Sequence, residues 1–251
     1  MHSKAQEIVR VGTSGIVVPG TKVTFPEEFK SGSRLHYYGS LFNTLEINSS
    51  FYKIPLAKTF KKWSEEVPEN FTFTVKCWRG ITHAKHLEIT DADIDVFMAT
   101  IATVGSKAGC LLIQFPPSIN VSYLKKVEKI LERITYNDTN QQWRLAIELR
   151  HMSWYCDAAY AVFEKYKAAV VLHDMPGSTT PLQVPITNLL YLRFHGPTGN
   201  YDGCYSPDFI KSRAEQVQQW KNTVSNIYIY FNNTIGGAYE NAQMFNQFLK
   251  L

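Results

Sequence analysis

Short apolar segments alternate with longer amphipathic ones along the whole chain. The short segments are rich in β-branched and aromatic residues and are bounded by Gly, Pro, Asn or Asp, which is typical of strands. Several are apolar on both faces, as expected for parallel strands that are covered on both sides. The pattern predicts eight strands, at 11–16, 41–50, 71–76, 110–115, 145–150, 168–174, 189–195 and 227–232.

Most segments between these strands carry apolar residues at helical spacing. Thr90 with Asp93 three residues later predicts an N-cap and an acidic first turn, and Ser122 precedes a run with a single apolar stripe. The connection 175–188 holds three prolines and is predicted to be an extended loop. Helices are predicted at 33–41, 57–66, from Thr90 to about 104, after Ser122, and at 155–167, 208–224 and 238–250.

Eight strands alternating with about seven helices predict an α/β protein with a TIM-type (β/α)8 barrel and a helix-poor sixth connection. The length of 251 residues allows one such domain over residues 1–251. An open, doubly wound parallel sheet is the alternative. Its glycine-rich first turn, G-x-G-x-x-G, does not occur in VGTSGIVVPG, so the barrel is favoured.

Composition narrows the class of protein further. With 45% hydrophobic and 19% charged residues, the chain is expected to fold as a globular protein. No apolar run is long enough to span a membrane and the first residues are polar, so a soluble, cytoplasmic protein without a membrane partner is expected. The four cysteines form no C-x-x-C pair and are expected to be reduced thiols. A net charge of +4 neither requires nor excludes nucleic acid.

Polar residues gather where the predicted strands end. In a parallel barrel the carboxyl ends of the strands form the mouth that carries the active site. Side chains two positions apart share one face of a strand, so neighbouring polar residues would project into this mouth together. The polar strand-end residues are Glu46, Asn48, Lys76, Gln114, Glu148, Arg150, His173, Asp174, Arg193, His195, Asn232 and Asn233.

Burying such charges is costly unless they are paired, which favours a functional interpretation. The structural alternatives are that Glu148 and Arg150 form a mutual ion pair that ties the fifth strand to its neighbours, and that His195 is a satisfied core histidine. Glu46 and Asn48 could likewise only cap the second loop. His173 and Asp174 are adjacent and point to opposite faces unless a bulge intervenes, so only one of them, Asp174, is expected in the mouth. Lys76 and the loop after it predict an anion site, with solvation of Arg79 as the alternative.

Aromatic residues cluster in the same loops. Sugars and bases stack on such rings, although core packing accounts for most aromatic side chains and remains the alternative. These residues are Phe51, Tyr52, Trp78, Trp154, Tyr201 and Tyr205.

Seven ordered motifs resemble the YecE-like family, domain of unknown function 72. They are GTSG (12–15), FNTLEINSSFY (42–52), TVK…TH (74–76 and 82–83), IQFPPS (113–118), IELRHMSW (147–154), LRFHG (192–196) and YFNN (230–233).

The resemblance implies a β/α barrel but no reaction, since the family has no established activity. The family tryptophan after GTSG is missing from IVVPG, and Thr234 stands where an Asp commonly follows the two asparagines. The motif residues that the resemblance implies are Glu46, Asn48, Tyr52, Lys76, His83, Gln114, Glu148, Arg150, Trp154, Arg193, His195, Asn232 and Asn233.

The favoured function is a hydrolase-like enzyme acting on a phosphorylated or otherwise anionic substrate. Lys76, Arg150 and Arg193 would hold the anion, and Glu148, His195 and Glu46 are the catalytic candidates for acid and base roles. The other substrate-binding candidates are Gln114, Asn48, Tyr52, His83, Trp154, Asn232 and Asn233.

Three alternatives stay open. A divalent metal on Glu46, Glu148, Asp174 and His195 is not favoured, because the nearby cations would repel it. The chain could instead bind a nucleotide or single-stranded nucleic acid without catalysis. It could also be a scaffold protein that uses an outer surface. The oligomeric state cannot be inferred from the sequence.

Overall fold

The computed structural model describes residues 8–181 and 187–249. All strand pairs within these ranges are parallel. One sheet has the order β1-β9-β8-β7 and the other β2-β3-β4-β5-β6. The strands are β1 (Ile8–Thr13), β2 (Thr44–Ile47), β3 (Thr72–Lys76), β4 (Ala108–Phe115), β5 (Arg144–Leu149), β6 (Ala169–Val170), β7 (Leu172–His173), β8 (Leu189–Phe194) and β9 (Asn226–Phe231).

All eight predicted strand segments contain strand structure, but the ladder within the described ranges forms two sheets and not one continuous closed sheet. The sixth segment is divided, because Val171 separates β6 from β7 while its N–H donates to the carbonyl of Ile147 at 2.8 Å. The described parts of the sixth connection, 175–181 and 187–188, contain no helix, as predicted. Residues 182–186 of that connection lie outside the description.

The two sheets also meet where β1 runs beside β2. Ser14 and Glu46 form an isolated parallel bridge, and Gly15 N–H donates to the carbonyl of Glu46 at 2.8 Å. A Cβ atom on Gly12 would lie 2.2 Å from the carbonyl oxygen of Thr44, so the close approach of the two strands requires glycine at that position. The strands of both sheets therefore end side by side.

Helices cover the outer faces of the strands, close to the predicted positions. Two single-turn helices that the pattern did not predict, α2 and α4, follow β2 and β3 directly. No described helix is both long and apolar enough to cross a membrane. The helices are α1 (Arg34–Leu41), α2 (Ser49–Tyr52), α3 (Ala57–Glu65), α4 (Arg79–Thr82), α5 (Asp91–Ile101), α6 (Leu124–Asn137), α7 (Asp157–Lys165), α8 (Pro207–Trp220) and α9 (Ala238–Leu249).

Helix starts follow local chemistry. The predicted cap of α5 is a full capping box, in which Thr90 Oγ1 accepts from Asp93 N–H and the Asp93 carboxylate accepts from Thr90 N–H. Ser122 does not cap α6. It lies inside a short 3-10 turn, 121–123, whose N-cap is Asn120.

The buried residues form two clusters, because alternate side chains of each strand point to opposite faces. A large cluster packs one face of the strands against the helices. A smaller cluster draws residues from both sheets and so lies between them. The residue two positions after a member of the inner cluster points to the same side of its strand. Gln114 follows Leu112 in this way, and Arg193 follows Tyr191, so the polar strand ends continue the inner face. The members of the inner cluster are Cys110, Leu112, Ala146, Ala169, Val171, Leu189, Tyr191, Tyr228 and Tyr230.

Candidate functional site

Arg193, near the end of β8, is the centre of the strand-end cluster. Its Nε lies 3.0 and 3.1 Å from the two carboxylate oxygens of Glu46, and its Nη2 lies 2.8 Å from Glu46 Oε1. Its Nη1 donates to Glu148 Oε2 at 3.2 Å. The buried guanidinium therefore bridges two carboxylates that are both fully buried. Asn232 is placed to accept from Arg193 Nη2 at 3.1 Å, in the amide orientation that satisfies both groups.

Glu46 has its remaining hydrogen-bonding capacity filled by hydroxyl groups. Ser14 Oγ donates to Glu46 Oε1 at 2.6 Å, and Tyr191 donates its hydroxyl to Oε2. Burial alone would raise the pKa of Glu46, but the charge and hydrogen bonds of Arg193 outweigh burial and lower it. Glu46 is therefore held as a carboxylate.

Glu148 holds a second arginine at the mouth. Arg150 Nε donates to Glu148 Oε1 at 2.6 Å, and Arg150 Nη2 contacts the same oxygen. Burial would raise the pKa of Glu148, but Arg193 and Arg150 together keep it well below its ordinary value. The predicted pairing of Glu148 with Arg150 is thus present, and Arg193 joins it.

His195 is buried and neutral. Its Nε2 faces Arg193 Nη1 at 2.7 Å and Arg150 Nη2 at 2.9 Å, so it acts as an acceptor. Its Nδ1 lies 3.3 Å from Asp174 Oδ1, which places the ring proton there. Burial, opposed by the hydrogen bond to Asp174, lowers the pKa of His195 to about 4.

Both residues of the adjacent pair approach His195, although only Asp174 was expected in the mouth. Asp174 Oδ1 accepts from the backbone N–H of His195 at 2.8 Å, and Tyr205 donates to its other oxygen. The ring of His173 lies 5.7 Å from that of His195. β7 ends at His173, so Asp174 lies beyond the strand and its side chain is not bound by the alternation of faces.

Lys76 is the unpaired cation of the cluster. Within the described residues its ammonium makes no ion pair or side-chain hydrogen bond, and it lies 4.3 Å from the centroid of the Phe51 ring. Burial and the nearby charge of Arg193 lower the pKa of Lys76 to about 8, against opposing contributions from Glu148 and Glu46.

His83 shares the Phe51 ring with Lys76. The His83 ring meets Phe51 edge to face with centroids 4.8 Å apart, and its Nδ1 lies 2.8 Å from Thr82 Oγ1. Burial and then the charge of Lys76 lower the pKa of His83 to about 4, so the ring is neutral at pH 7. Phe51 therefore has an amine and a neutral imidazole beside it.

Three further predicted site residues lie at the end of β4 or directly after β2. Gln114 is opposite Glu148 in the β4–β5 register. Asn48 Oδ1 is buried and has no hydrogen-bond donor in the described part of the chain. Tyr52 is 70% exposed and packs its edge on Phe51.

Two predicted site residues lie outside the cluster. Trp154 is fully buried, stacks near Phe115 and Phe163, and donates its Nε1–H to the Ile119 carbonyl at 2.7 Å. Asn233 bonds to the Gly203 carbonyl at 2.8 Å and to Asn241 at 3.0 Å, so it anchors a loop to α9. Thr234, one of the departures from the family pattern, is exposed.

The sequence interpretation gave no role to Ser14 or Tyr191, and it considered Tyr205 only as a ring on which a ligand could stack. The period of two along a strand could have found Tyr191, which lies two residues before Arg193, and Ser14, which lies two residues after Gly12. Tyr205 reaches Asp174 from a loop, and no pattern in the sequence indicates that contact.

No three His, Cys, Asp or Glu side chains of the described residues are grouped to hold a metal ion. Arg193 occupies the space between Glu46 and Glu148, two of the four ligands considered for a metal. A separate cavity of about 780 Å³ lies at the opposite ends of the strands, beside Arg144, Tyr160 and Asn226. None of the predicted site residues lines it.

The chain is similar to proteins of several bacteria. It is 28% identical over 250 residues to the UPF0759 protein YunF of Bacillus subtilis, with 85% of each chain covered. It is 22% identical over 121 residues to the UPF0759 protein YecE of Escherichia coli K12, which covers 48% of this chain and 43% of YecE. None of these names states an activity.

Two solved structures of DUF72 family proteins share the fold. One, from Thermotoga maritima, is 28% identical with a TM-score of 0.78, covering 97% of this chain and 100% of that one. The other, from Enterococcus faecalis, is 24% identical with a TM-score of 0.76, covering 98% and 99%. The family model described as "Protein of unknown function DUF72" matches residues 10–251. The resemblance seen in the seven motifs is thus confirmed, and the chain belongs to the DUF72 family.

Proposed function

We propose that this protein is a cytoplasmic enzyme that binds a phosphorylated or otherwise anionic small molecule where the strands end. In this proposal the two sheets together form a single-domain (β/α)8 barrel, and its C-terminal mouth is the binding site. The reaction class we favour is hydrolysis.

One observation supports this proposal above the others: the two carboxylates that hold the arginines are fully buried, whereas two cations of the cluster are partly exposed. Glu46 and Glu148 are fully buried and already paired with arginines. Lys76 and Arg150 are partly exposed at the same strand ends. A ligand that enters the mouth would therefore meet Lys76 and Arg150 before it meets Glu46 or Glu148, which lie behind them and hold the guanidinium groups in place.

The roles within this site follow from burial. Arg150 and Lys76 contact the anion, and Gln114 and Asn48 hydrogen-bond its polar groups. Arg193 lies deeper and orients both carboxylates. Acid and base roles for Glu148, His195 and Glu46 stay a prediction. Glu148 holds Arg150 through its Nε at 2.6 Å, which makes positioning the arginine its first function.

Ligand-induced stabilisation tests the anion site. Thermal unfolding is followed with phosphate, sugar phosphates and nucleotides, for the protein and for Arg150→Met, Arg150→Lys and Arg144→Met. A ligand at about 100 times its Kd stabilises the protein by about 2.7 kcal/mol. We expect a rise in Tm that Arg150→Met abolishes and Arg150→Lys reduces, since lysine keeps the charge but lacks the fork of nitrogens by which Arg150 also contacts Glu148 and His195.

Arg144→Met is the matched control, because Arg144 begins the same strand at its opposite end. It should leave the ligand response unchanged. No response from any anion with a folded protein, or equal loss in Arg150→Met and Arg144→Met, would contradict the proposal.

Nucleotide or single-stranded nucleic acid binding is a second candidate, favoured by exposed rings at the mouth. Tyr52 is 70% and Tyr201 42% exposed, and Tyr201 lies against the ring of His195 at 5.8 Å. Bases stack on such rings. Affinity for a short oligonucleotide should then fall steeply with salt and with Tyr52→Ala, and a flat salt response would contradict it.

A further inference from the structure

Lys76 differs from the other cations of the cluster in having no acidic partner. Arg193 pairs with Glu46 and Glu148, and Arg150 pairs with Glu148. These contacts use the carboxylate oxygens that could have held an ammonium. The Lys76 ammonium instead lies over the Phe51 ring, and the residue is partly exposed.

Several charged groups act on this amine from neighbouring elements. The cations repel its proton, and the buried carboxylates attract it but are already neutralised by arginines. The groups concerned are Arg193 on β8, Glu148 and Arg150 at the end of β5, Glu46 on β2, and His83 after α4.

We propose that Lys76 is a nucleophile that forms an imine with the carbonyl carbon of an anionic substrate. This inference deepens the proposed function, because it rests on the same anion site and assigns the substrate a carbonyl group. A lysine that is partly desolvated and lies beside other cations is the usual form of an imine-forming amine.

The chemistry balances without a cofactor. The neutral amine nitrogen attacks the carbonyl carbon, and the C=O π electrons move to oxygen. Nitrogen then loses one proton and oxygen gains one, which gives a neutral carbinolamine. The hydroxyl leaves as water with a second proton, taken from solvent, and the nitrogen lone pair forms the C=N bond of the iminium. The neutral ring of His83, which shares Phe51 with Lys76, is the group beside the amine that can accept the proton lost from nitrogen.

The neighbouring groups fit such a substrate. Arg150 would hold its anionic group through Nη1, because its Nε and Nη2 already contact Glu148 and His195. Asn48 Oδ1, buried and without a donor in the described residues, would accept a hydrogen bond from the carbinolamine hydroxyl or from a hydroxyl of the substrate.

Reductive trapping tests the imine directly. The full-length protein is incubated with glyoxylate, an aldehyde that carries a carboxylate, together with cyanoborohydride at pH 7. Modified lysines are located and timed by peptide mass spectrometry. At pH 7 an amine with the pKa of Lys76, about 8, is neutral about 10% of the time. An ordinary lysine, with a pKa of about 10.4, is neutral roughly 0.04% of the time at pH 7. We therefore expect Lys76 to react about tenfold or more faster than exposed lysines such as Lys62.

Two controls keep the test interpretable. Lys76→Arg should abolish the fast adduct while its thermal unfolding and circular dichroism show a folded protein. Lys107 is a buried lysine far from the mouth that donates to the Val67 carbonyl at 2.7 Å, and it should stay unmodified. Acetaldehyde, which lacks the anionic group, should react more slowly at Lys76 than glyoxylate does. In Arg150→Lys the two labelling rates of Lys76 should be closer to each other.

The result that overturns the inference is labelling of Lys76 no faster than that of Lys62. This outcome is separable from failure of the anion site. If phosphate compounds stabilise the protein through Arg150 but Lys76 is not trapped, the proposed function stands and the inference fails. If Lys76 is trapped equally fast with acetaldehyde and Arg150→Lys has no effect, the amine is nucleophilic but the anion site is wrong.

Discussion

Arg193 holds Glu46 from 147 residues further along the chain, donating to both of its carboxylate oxygens. The two residues belong to different sheets, Glu46 to β2 and Arg193 to β8. Both are buried. The pair therefore ties the two sheets together at their carboxyl ends, and it does so with charges that cannot be left alone in a low-dielectric interior.

Replacing Arg193 by Met should cost about 3–5 kcal/mol of unfolding free energy, because two buried carboxylates lose their shared partner. Urea denaturation at pH 7 measures this loss. Lys165→Met is the control, since Lys165 pairs with Glu128 on the surface. A loss for Arg193→Met no larger than that for Lys165→Met would show that the cluster does not stabilise the fold.

Acid should destabilise the protein through the same carboxylates. The folded-state pKa values of Glu46, Glu148 and Asp174 are all lowered by their partners. Their contribution is fully present above the unfolded values of about 4 and is lost as the pH falls through the lower folded values. Urea denaturation between pH 7 and pH 2.5 should show that the free energy of unfolding falls with pH. The fall should be smaller in Glu148→Gln. Equal stability at pH 3 and pH 7 would contradict the assignment.

His195 should stay neutral with its proton on Nδ1. Burial places its pKa at about 4. Because this is below the ordinary value of about 6.5, the unfolded chain binds the proton more readily, and the stability from this residue is lost as the pH falls from about 6.5 to 4. Nitrogen chemical shifts should show the Nδ1–H tautomer at pH 6, with exposed His36 as the reference signal. A protonated His195 ring at pH 6 would refute this.

Trp154 should matter for stability and not for ligand binding. Trp154→Ala is expected to cost about 3–5 kcal/mol, since the ring fills the core between Phe115 and Phe163. Trp154→Phe, which keeps most of the volume, should leave the Kd of any ligand that depends on Arg150 unchanged. A folded Trp154→Phe protein that binds the ligand more weakly would show that Trp154 belongs to the binding site.

The period of two along strands was the most reliable guide to the site. It placed Glu148 with Arg150 and Arg193 with His195 correctly, because side-chain direction in a strand follows from sequence position alone. Trp154 was assigned to the site as a loop aromatic and Asn233 as a strand-end residue, both also on the family motif, and their positions depend on packing against α7 and α9. That packing is tertiary and leaves no local pattern.

The strand pattern also predicted all eight strand segments. It did not predict that both His173 and Asp174 approach His195, nor the break in the sixth segment at Val171. Hydrogen bonding at that point is decided by the neighbouring strand β5, through the carbonyl of Ile147. The short helices α2 and α4 were missed since four residues carry no helical periodicity.

The order of the charges along the chain has a consequence for synthesis. Glu46 leaves the ribosome long before β8 supplies Arg193, so a nascent chain cannot bury the end of β2 without leaving a carboxylate unpaired. Such contacts between distant residues form slowly, because a long loop must close first. The two sheets should therefore dock only after β8 is made, and fragments that end before it should remain open and prone to aggregate.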